Sequence, residues 1–380
     1  MSAPRRLALI VADGKSFLSH RLGLARAARD AGWAVTVILP HCPEVATIRA
    51  EGFDVLGAIL RRDLRAPWHD LKATWQIAGE LRRRRIDVVH NFALKPALVG
   101  TLACRLAGCR AVVNTIAGMG YIFINQALKA RLLRGVIVAG FRTLIDRRGT
   151  AIIVQNHDDL KAVAGRLVAP ERVVLVRGSG VDTKQYAPLP EPQGTPVAAL
   201  VSRMLWDKGV GELVEAARLL RQRRVPIRIA LVGDTDSANP RCIPQAQLEE
   251  WQREGIVEWW GYRSDINEVW RDSHIAVLPS YREGLPKALL EAASCGRPAV
   301  TTDAPGCREL VEHDRNGLLV PVRESIPLAD ALERLARSAD DRRRLGAEAR
   351  RRIENEFADH IVHDRILAIY NGVLGQSRRR

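Results

Sequence analysis

The sequence lacks three features that would assign it to a well-known class of protein. It has no run of about 18 consecutive apolar residues, so no segment is expected to span a bilayer. Residues 1–13 contain only a short apolar run and no small-residue cleavage site, which predicts a first strand and not a signal peptide. Aromatic residues make up only 5% of the chain and are not interleaved with basic residues, which argues against a platform for stacking nucleic-acid bases.

The cysteine pattern contains neither a C-x-x-C pair nor a histidine partner at metal-binding spacing. Several of the cysteines lie in apolar segments, which is typical of reduced thiols in a core. We therefore expect a cytoplasmic protein without structural zinc. The six cysteines are Cys42, Cys104, Cys109, Cys242, Cys295 and Cys307.

The charge of the chain is strongly positive and unevenly distributed. The 380 residues carry a formal net charge of +15, and residues 1–150 hold 24 Lys and Arg against 10 Asp and Glu. So basic a segment should be attracted to a polyanion. Charge alone leaves both nucleic acid and an anionic membrane surface open as partners.

Apolar content of 47% and charged content of 27% indicate a globular chain that is long enough for two domains. Strand and helix patterns alternate through both halves, which predicts an α/β protein with two doubly wound parallel sheets. A Pro-rich stretch at 186–196 has the composition of a linker. The expected divisions are a first domain at 1–190, a second at 191–358, and a terminal helix at 359–380.

Ligands of doubly wound sheets bind beyond the carboxyl ends of the strands, so the loops at that edge are candidate sites. In the first domain these loops are residues 13–20, 90–95 and 114–123. Gly14 would let the backbone approach a ligand closely. A helix is expected to start near Ser19, which would put His20 at its opening, where it either caps the helix or contacts substrate. His90 and Lys95 flank the fourth strand, and Lys95 is either solvated or in contact with a phosphate of the acceptor.

Residues 125–148 have the pattern of a basic amphipathic helix. Arg131, Arg134 and Arg142 fall within an arc of about 80° on a helical wheel. Such a helix either packs on the core with a solvated face or docks on a membrane surface, and the sequence leaves both open.

The most informative stretch is 280–291, S-Y-R-E-G-L-P-K-A-L-L-E, which follows the apolar run 275–278. It predicts a strand, a tight loop and then a helix, with Glu283 in the loop and Gly284 and Pro286 at the helix start. Unpaired N–H groups at a helix N-terminus suit a phosphate. Glu291 follows on the same helix, on an apolar face where a carboxylate needs a partner. Two carboxylates so placed can hold two parts of one nucleotide-diphosphate sugar.

This stretch resembles the E-x7-E motif of the family 4 retaining glycosyltransferases, which have the GT-B fold of two facing Rossmann-like domains. The resemblance covers nearly the whole chain, more weakly before Pro196, and is strongest to bacterial enzymes that add an N-acetylhexosamine, such as N-acetylgalactosamine, to a polyprenyl-diphosphate-linked saccharide. Four further segments carry it: S-R-M-L-W-D-K-G at 202–209, G-Y-R-S-D-I at 261–266, L-P-S-Y at 278–281 and A-P-G-C-R-E-L-V at 304–311.

The resemblance implies a role for each matching residue. Arg203 and Lys208 would bind the donor diphosphate, Glu291 the ribose hydroxyls, and Glu283 the hydroxyls of the donor sugar. The implied catalytic set is Glu283, Arg203, Lys208 and His20. The implied binding set is Gly14, Arg203, Lys208, Gly261, Tyr262, Arg263, Gly284, Leu285, Pro286, Lys287 and Glu291, with the backbone of 261–263 meeting the base.

The sequence departs from the family at one point, because Ala117 stands where many members carry a histidine near the donor sugar. That departure leaves the catalytic base unassigned. Asp234 and Asp236 superficially form a D-x-D metal pair, but similar enzymes need no divalent ion, so neither metal nor another cofactor is expected.

Together these observations predict a retaining glycosyltransferase that moves a sugar from a UDP-sugar to a polyprenyl-diphosphate-linked saccharide in surface glycan biosynthesis. Its first domain would attach peripherally to the anionic cytoplasmic face of the inner membrane, and no nucleic-acid partner is expected. Two alternatives stay open: a nucleotide-sugar 2-epimerase of the same fold, and a basic nucleic-acid-binding protein.

Overall fold

The computed structural model describes residues 4–58, 67–109, 111–116, 135, 138–237 and 239–378. The chain forms two compact units, one comprising Met1–Ser179 with Asp359–Arg380 and the other Gly180–Ala358. Residues 180–190, which the sequence assigned to the first domain, therefore belong to the second unit. The Val181 N–H donates to the Phe357 carbonyl at 3.1 Å, and Ser294 Oγ donates to the Tyr186 carbonyl at 2.6 Å, so this segment is hydrogen-bonded within the second unit.

The first unit is built on a seven-stranded sheet in which every described pairing is parallel, with strand order β3-β2-β1-β4-β5-β6-β7. Side chains of the central strand alternate between two apolar layers: Leu7 and Leu9 lie in one, and Ala8 and Ile10 in the other. A strand buried on both faces needs such a continuous apolar run. The strands are β1 Arg5–Ile10, β2 Trp33–Leu39, β3 Asp54–Gly57, β4 Val88–Phe92, β5 Ala111–Ile116, β6 Thr150–Val154 and β7 Val173–Leu175.

Helices cover both faces of this sheet. Phe17 and Leu24 pack on one face, and Ile77 and Leu81 on the other. The described helices are α1 Gly14–His20, α2 Leu22–Asp30, α3 Glu44–Ala50, α4 Pro67–Arg83, α5 Leu94–Ala107 and α6 His157–Val163.

The start of the first helical region differs from the prediction. Residues 13–16 were expected to form a polar loop, with a helix opening near Ser19. In the structure α1 already begins at Gly14, because the Asp13 carboxylate accepts a hydrogen bond from the Ser16 N–H at 2.7 Å and so caps the helix. His20 consequently ends a short helix instead of opening a long one, and Arg21 separates α1 from α2.

Half of the predicted basic helix at 125–148 lies outside the described residues, and so do Arg131, Arg134 and Ala117. Arg142 is described and lies in a single π-helical turn, Phe141–Ile145.

The second unit repeats the architecture with six strands, again parallel, in the order β10-β9-β8-β11-β12-β13. The strands are β8 Val197–Val201, β9 Arg228–Val232, β10 Glu258–Gly261, β11 Ile275–Leu278, β12 Ala299–Thr302 and β13 Gly317–Val320. The helices are α7 Val210–Gln222, α8 Gln245–Arg253, α9 Ile266–Arg271, α10 Lys287–Ser294, α11 Ser325–Arg337 and α12 Ala339–Arg352. Both units confirm the predicted α/β class with two doubly wound parallel sheets.

The last helix, α13 Asp359–Arg378, packs within the first unit although it follows the second in sequence. Its Tyr370 is fully buried, and the Tyr370 hydroxyl lies 2.6 Å from His90 Nδ1 in β4. In each sheet the chain reverses its direction of strand addition beside the first strand of that unit, between β1 and β4 and between β8 and β11. Ligands of doubly wound sheets bind at such points, beyond the carboxyl ends of the strands.

Candidate active site

Two loops of the second unit meet beyond the carboxyl ends of β8 and β11. The strands are adjacent and parallel, with Ile275 opposite Ala198. The loop after β11 is tied to the loop after β8, because the Tyr281 N–H and Ser280 Oγ both donate to the Asp207 carbonyl, at 3.0 and 3.2 Å. The segments 202–209 and 280–291, which sequence reasoning singled out, therefore lie together.

Gly209 allows these loops to approach closely. Its φ is +72°, and a Cβ at this position would lie 2.1 Å from the Pro279 carbonyl oxygen. Any other residue would have to displace the backbone of the facing loop, so glycine is required at this point.

Lys208 and Glu283 face each other across the two loops. Lys208 Nζ donates to Glu283 Oε1 at 2.5 Å, and the side chains are only 17% and 13% exposed. Lys208 ends a 3₁₀ turn, Trp206–Lys208, that directly precedes α7. The cation expected to bind a diphosphate and the carboxylate expected to bind a sugar are thus in direct contact.

A third loop, which follows β12, fixes the backbone of Glu283. The Glu283 N–H donates to the Pro305 carbonyl at 2.9 Å. Gly306 has φ +83°, and a Cβ there would lie 2.5 Å from the Glu283 carbonyl oxygen. Gly306 is a positioning residue that sequence reasoning missed, although the A-P-G-C segment had been noted.

Arg203 follows the same strand as Lys208 but has a different partner. Its guanidinium donates to Asp236 Oδ2 at 2.7 Å, and the Arg203 side chain is 56% exposed. Asp236 is the second aspartate of the D-x-D pair set aside above, and here it binds a cation of the chain itself. An exposed pair of this kind is worth only about 0–1 kcal/mol, so a ligand can draw the guanidinium away at little cost.

Glu291 lies in the second turn of α10 and is buried. Burial raises the pKa of Glu291, while Lys287, whose Nζ is 3.4 Å away, and the hydroxyl of Tyr186 act in the opposite direction. The expectation that this carboxylate needs a partner is met by the chain's own residues. Tyr186 was missed because it lies in the stretch interpreted as a linker.

The α10 N-terminus presents backbone N–H groups at the same edge. Pro286 precedes the helix and provides no side-chain cap, and the first turn contains no acidic residue. Gly284 and Leu285 lead into it from Glu283. A helix start without a side-chain cap suits an anion.

The segment predicted to meet a nucleobase lies at the end of β10. Gly261 has φ +67°, and its carbonyl accepts a hydrogen bond from the Gly233 N–H at 2.8 Å. Tyr262 is 62% exposed, and Arg263 donates from Nε to Asp265 Oδ1 at 2.7 Å. The side chain of Arg263 thus has a partner of its own, and the Gly261 carbonyl joins this segment to the loop after β9.

In the first unit, Gly14 and His20 have local surroundings that differ from expectation. Gly14 is buried, and a Cβ there would lie 2.6 Å from Glu44 Cβ and 2.7 Å from Cys42 Sγ, so the close approach it permits is to its own chain. His20 is exposed, and its Nδ1 lies 2.6 Å from Ser19 Oγ.

His90 and Lys95 also have partners within the chain. His90 is fully buried, with Nε2 2.7 Å from Thr115 Oγ1, and burial lowers the pKa of His90 well below its ordinary value. Lys95 Nζ lies 2.7 Å from Asp70 Oδ1, and the Lys95 side chain is only 11% exposed. The interpretation of Lys95 as a solvated lysine is wrong, because its side chain is largely buried in an ion pair with Asp70.

Arg21 is a charged side chain at this edge to which the sequence analysis assigned no role. It follows α1, and its guanidinium lies 4.3 Å from the centroid of the Phe92 ring at the carboxyl end of β4. Arg21 is buried, and its Nε has no hydrogen-bond partner among the described residues. Burial lowers the pKa of Arg21 to about 10. A buried cation without a matching carboxylate in the described part of the chain suits an anionic ligand.

Comparison with known families agrees with this geometry. Residues 6–156 match the family model described as "Glycosyl transferase 4-like", and residues 195–338 match the model described as "Glycosyl transferases group 1". The chain is a glycosyltransferase. The second match contains the Lys208–Glu283 pair, and the first contains Arg21.

Similar proteins include two bacterial enzymes. The N,N'-diacetylbacillosaminyl-diphospho-undecaprenol alpha-1,3-N-acetylgalactosaminyltransferase of Campylobacter jejuni is 27% identical over 97% of this chain and 99% of that protein. The UDP-Gal:alpha-D-GlcNAc-diphosphoundecaprenol alpha-1,3-galactosyltransferase of Escherichia coli is 25% identical over 70% of each chain.

Solved structures show the same fold. A glycosyltransferase from Rickettsia africae has a TM-score of 0.78 at 17% identity, covering 98% of this chain and 99% of that one. HepE from Anabaena, in complex with UDP, has a TM-score of 0.76 at 18% identity, covering 97% and 100%. The glycosyltransferase thus has the GT-B fold that its sequence predicted. No helix within the described ranges combines the length and apolar content needed to cross a membrane.

Proposed function

We propose that this glycosyltransferase moves an N-acetylhexosamine or a related sugar from a UDP-sugar to a polyprenyl-diphosphate-linked saccharide in surface glycan biosynthesis, with retention at the anomeric carbon. The names of the two bacterial relatives support this acceptor class, and the UDP complex of a protein with the same fold supports the donor. The observation in this chain that carries the proposal is the Lys208–Glu283 contact between two loops at the ligand-binding edge of the second sheet.

Breaking the bond from a sugar to a diphosphate builds negative charge on the leaving group. Fixed cations and dipoles aimed at that charge are the main physical means of lowering the barrier. In the proposed complex Lys208 leaves Glu283 and binds the diphosphate. Arg203 leaves Asp236, and its guanidinium binds two phosphate oxygens. The α10 N-terminus supplies further N–H donors. The proposal includes no divalent ion and no other cofactor.

The carboxylates bind the neutral parts of the donor. Glu283, released by Lys208, accepts hydrogen bonds from the sugar hydroxyls. Glu291 accepts them from the ribose, oriented by Tyr186 and Lys287, and the backbone of residues 261–263 meets the base. Since Glu283 is held through its own N–H and by Gly306, its carboxylate is positioned for specific recognition.

The first unit would bind the acceptor, with the Arg21 guanidinium facing an acceptor phosphate and His20 at the exposed end of α1. Arg21 suits this role better than Lys95, because Lys95 is held by Asp70. Such an acceptor is embedded in a bilayer, so the enzyme would work as a peripheral protein on the cytoplasmic face of the inner membrane. The net positive charge of residues 1–150 supports attraction to anionic lipid.

A donor panel tests the proposal. The purified enzyme is incubated with radiolabelled UDP-N-acetylgalactosamine, UDP-N-acetylglucosamine, UDP-galactose or a GDP-sugar, together with a polyprenyl-diphosphate-linked saccharide. We expect label to enter the lipid extract from a UDP-N-acetylhexosamine and not from the GDP-sugar. Absence of lipid-linked label with every donor would refute the proposal.

The two alternative functions predict different results. A 2-epimerase would convert UDP-N-acetylhexosamine without any acceptor, so chromatography of the acceptor-free reaction detects it. A nucleic-acid-binding protein would retain DNA on a filter at moderate salt and would leave all donors unchanged.

A further inference from the structure

Helix α4 of the first unit exposes three large apolar side chains. Trp68 is 81% exposed, Leu71 45% and Trp75 61%. Tryptophan is ordinarily among the more buried residues of a folded protein, so two such side chains side by side mark an interaction surface.

The three side chains form one stripe. Their spacing of three and then four residues places them within an arc of about 60° on the helix surface. The opposite side of α4, which includes Ala73, Ile77 and Leu81, is buried in the core. Because the core contacts of α4 come from that side, the exposed stripe is not required for folding of the unit.

The charged residues of α4 are also divided between its exposed and its buried side. Lys72, Arg82 and Arg83 are exposed on the outward side, and within the described residues Lys72 and Arg82 form no ion pair. The two carboxylates of the helix lie on the side away from the stripe, where they bind cations of the chain: Asp70 pairs with Lys95, and Glu80 pairs with Arg83 and Arg84. The outward face is therefore aromatic, aliphatic and net positive. We call the set Trp68, Leu71, Lys72, Trp75 and Arg82 the α4 face.

We propose that the α4 face docks the glycosyltransferase on an anionic lipid bilayer, a proposal that depends on the proposed function only in that the acceptor is lipid-linked. Tryptophan side chains concentrate at the boundary between lipid headgroups and acyl chains, where an apolar ring with a polar edge is accommodated. A helix that lies in this boundary combines such residues with Lys and Arg opposite anionic headgroups.

Charge complementarity favours lipid over the other occupants. A second copy of the chain would bring two positive faces together, which costs free energy. Nucleic acid would satisfy Lys72 and Arg82 but would leave Leu71 against a charged backbone. An anionic bilayer satisfies both the cations and the apolar stripe. The α4 face is also distinct from the basic segment at 125–148, on which sequence reasoning had based the expectation of membrane docking.

The test is co-sedimentation of the full-length enzyme with phosphatidylcholine vesicles that contain phosphatidylglycerol. Burying about half of a tryptophan side chain corresponds to a change of more than tenfold in partitioning, so the double variant Trp68→Ser/Trp75→Ser should bind at least about 100-fold more weakly. Lys72→Gln/Arg82→Gln should lose about fivefold per charge, and this loss should vanish at high salt or on pure phosphatidylcholine.

Two further variants make the outcome specific. Ile326→Ser removes an apolar side chain that is 60% exposed in the second unit and should bind vesicles like the wild type. Trp68→Phe/Trp75→Phe should keep most of the binding, because the rings remain apolar. Thermal unfolding and the stabilisation by UDP should be unchanged in every variant.

Wild-type vesicle binding by Trp68→Ser/Trp75→Ser would overturn the proposal. A dimeric wild type and a monomeric serine variant in light scattering would overturn it too, because the stripe would then be a contact between copies. Transfer to a water-soluble short-chain polyprenyl acceptor separates this inference from the proposed function. The serine variant should retain that transfer. If the wild-type enzyme did not transfer sugar to this acceptor, the proposed function would be refuted, and sedimentation alone would decide whether the α4 face docks on lipid.

Discussion

Replacing Lys208 by methionine tests the centre of the proposed site. The change removes the cation, keeps a side chain of similar length, and leaves the Glu283 carboxylate without its partner at 2.5 Å. Both side chains are more than four-fifths shielded from solvent, so removing the cation that faces the carboxylate is costly. A lost charge-assisted hydrogen bond of this kind typically costs about 1.5–3 kcal/mol, and we expect Lys208→Met to lower the free energy of unfolding by about 2 kcal/mol.

The same variant should weaken UDP binding through a different contact. If Lys208 binds the diphosphate, its removal costs about 1.5–3 kcal/mol of binding free energy, which corresponds to a Kd about 10- to 150-fold higher. Glu283→Gln should behave differently, because UDP contains no sugar for Glu283 to bind and the amide competes less strongly for Lys208. We expect UDP affinity to be unchanged or higher in Glu283→Gln, while sugar transfer falls.

The double variant Lys208→Met/Glu283→Gln separates a structural role from a binding role. It removes the negative charge of Glu283 together with the cation that faces it, so most of the lost stability should return while UDP affinity stays low. Titration calorimetry with UDP and urea unfolding measure the two quantities, and Lys184→Met, at an exposed lysine of the same unit, is the control. If the double variant recovered both stability and UDP affinity, Lys208 would serve only to neutralise Glu283, and the diphosphate assignment would be wrong.

Three further predictions concern Glu291, Arg203 and Arg21. Because burial raises the pKa of Glu291, the folded chain holds this proton more tightly than the unfolded chain does. The contribution of Glu291 to stability is therefore complete below its unfolded pKa of about 4.3 and is lost as pH rises through its folded pKa. Over that rise in pH, Glu291→Gln should become more stable relative to the wild type. The UDP affinity of Glu291→Gln should be lower than that of the wild type. Arg203→Ala should change the free energy of unfolding by less than about 1 kcal/mol, since the pair with Asp236 is exposed. The same variant should reduce kcat/KM more than Glu283→Gln does. An equal or reversed order would contradict a positioning role for Glu283. Arg21→Met should leave the melting temperature unchanged or raised, because it removes a buried charge, and should raise KM for the acceptor without changing UDP affinity; a loss of UDP affinity alone would count against the acceptor assignment.

The features that the sequence could predict are those set by short-range pattern and by the rules of parallel sheets. Apolar runs separated by helical periods specify the two sheets, and the order of strands then brings loops of adjacent strands to one edge. The meeting of Lys208 with Glu283 follows from this logic, because β8 and β11 are neighbours and both residues come just after their strands.

Other features depend on contacts that no local pattern reports. His90 is buried by Tyr370, which lies 280 positions away in the chain, and Lys95 is held by Asp70 of the preceding helix. The early start of α1 depends on one hydrogen bond from the Ser16 N–H to the Asp13 side chain, in a stretch whose glycine and polar residues suggested a loop. In each case a single polar partner outweighed the average preference of the surrounding residues.

Arg21 and Glu291 illustrate how such costly contacts point to function. Each is a charged side chain that is buried near the carboxyl edge of its own sheet, and burial shifts the pKa of each towards the neutral form. For Glu291 the cost is partly offset by Lys287 and Tyr186, whereas Arg21 has the face of Phe92 and no carboxylate in the described part of the chain. Neither charge improves the packing of the ligand-free fold, where an apolar side chain of similar volume would serve as well or better. A phosphate at Arg21 would neutralise a charge that no carboxylate in the described part of the chain matches, and a hydroxyl pair at Glu291 would add to the compensation by Lys287 and Tyr186. The cost of each buried charge is thus accounted for by the substrate proposed for its unit.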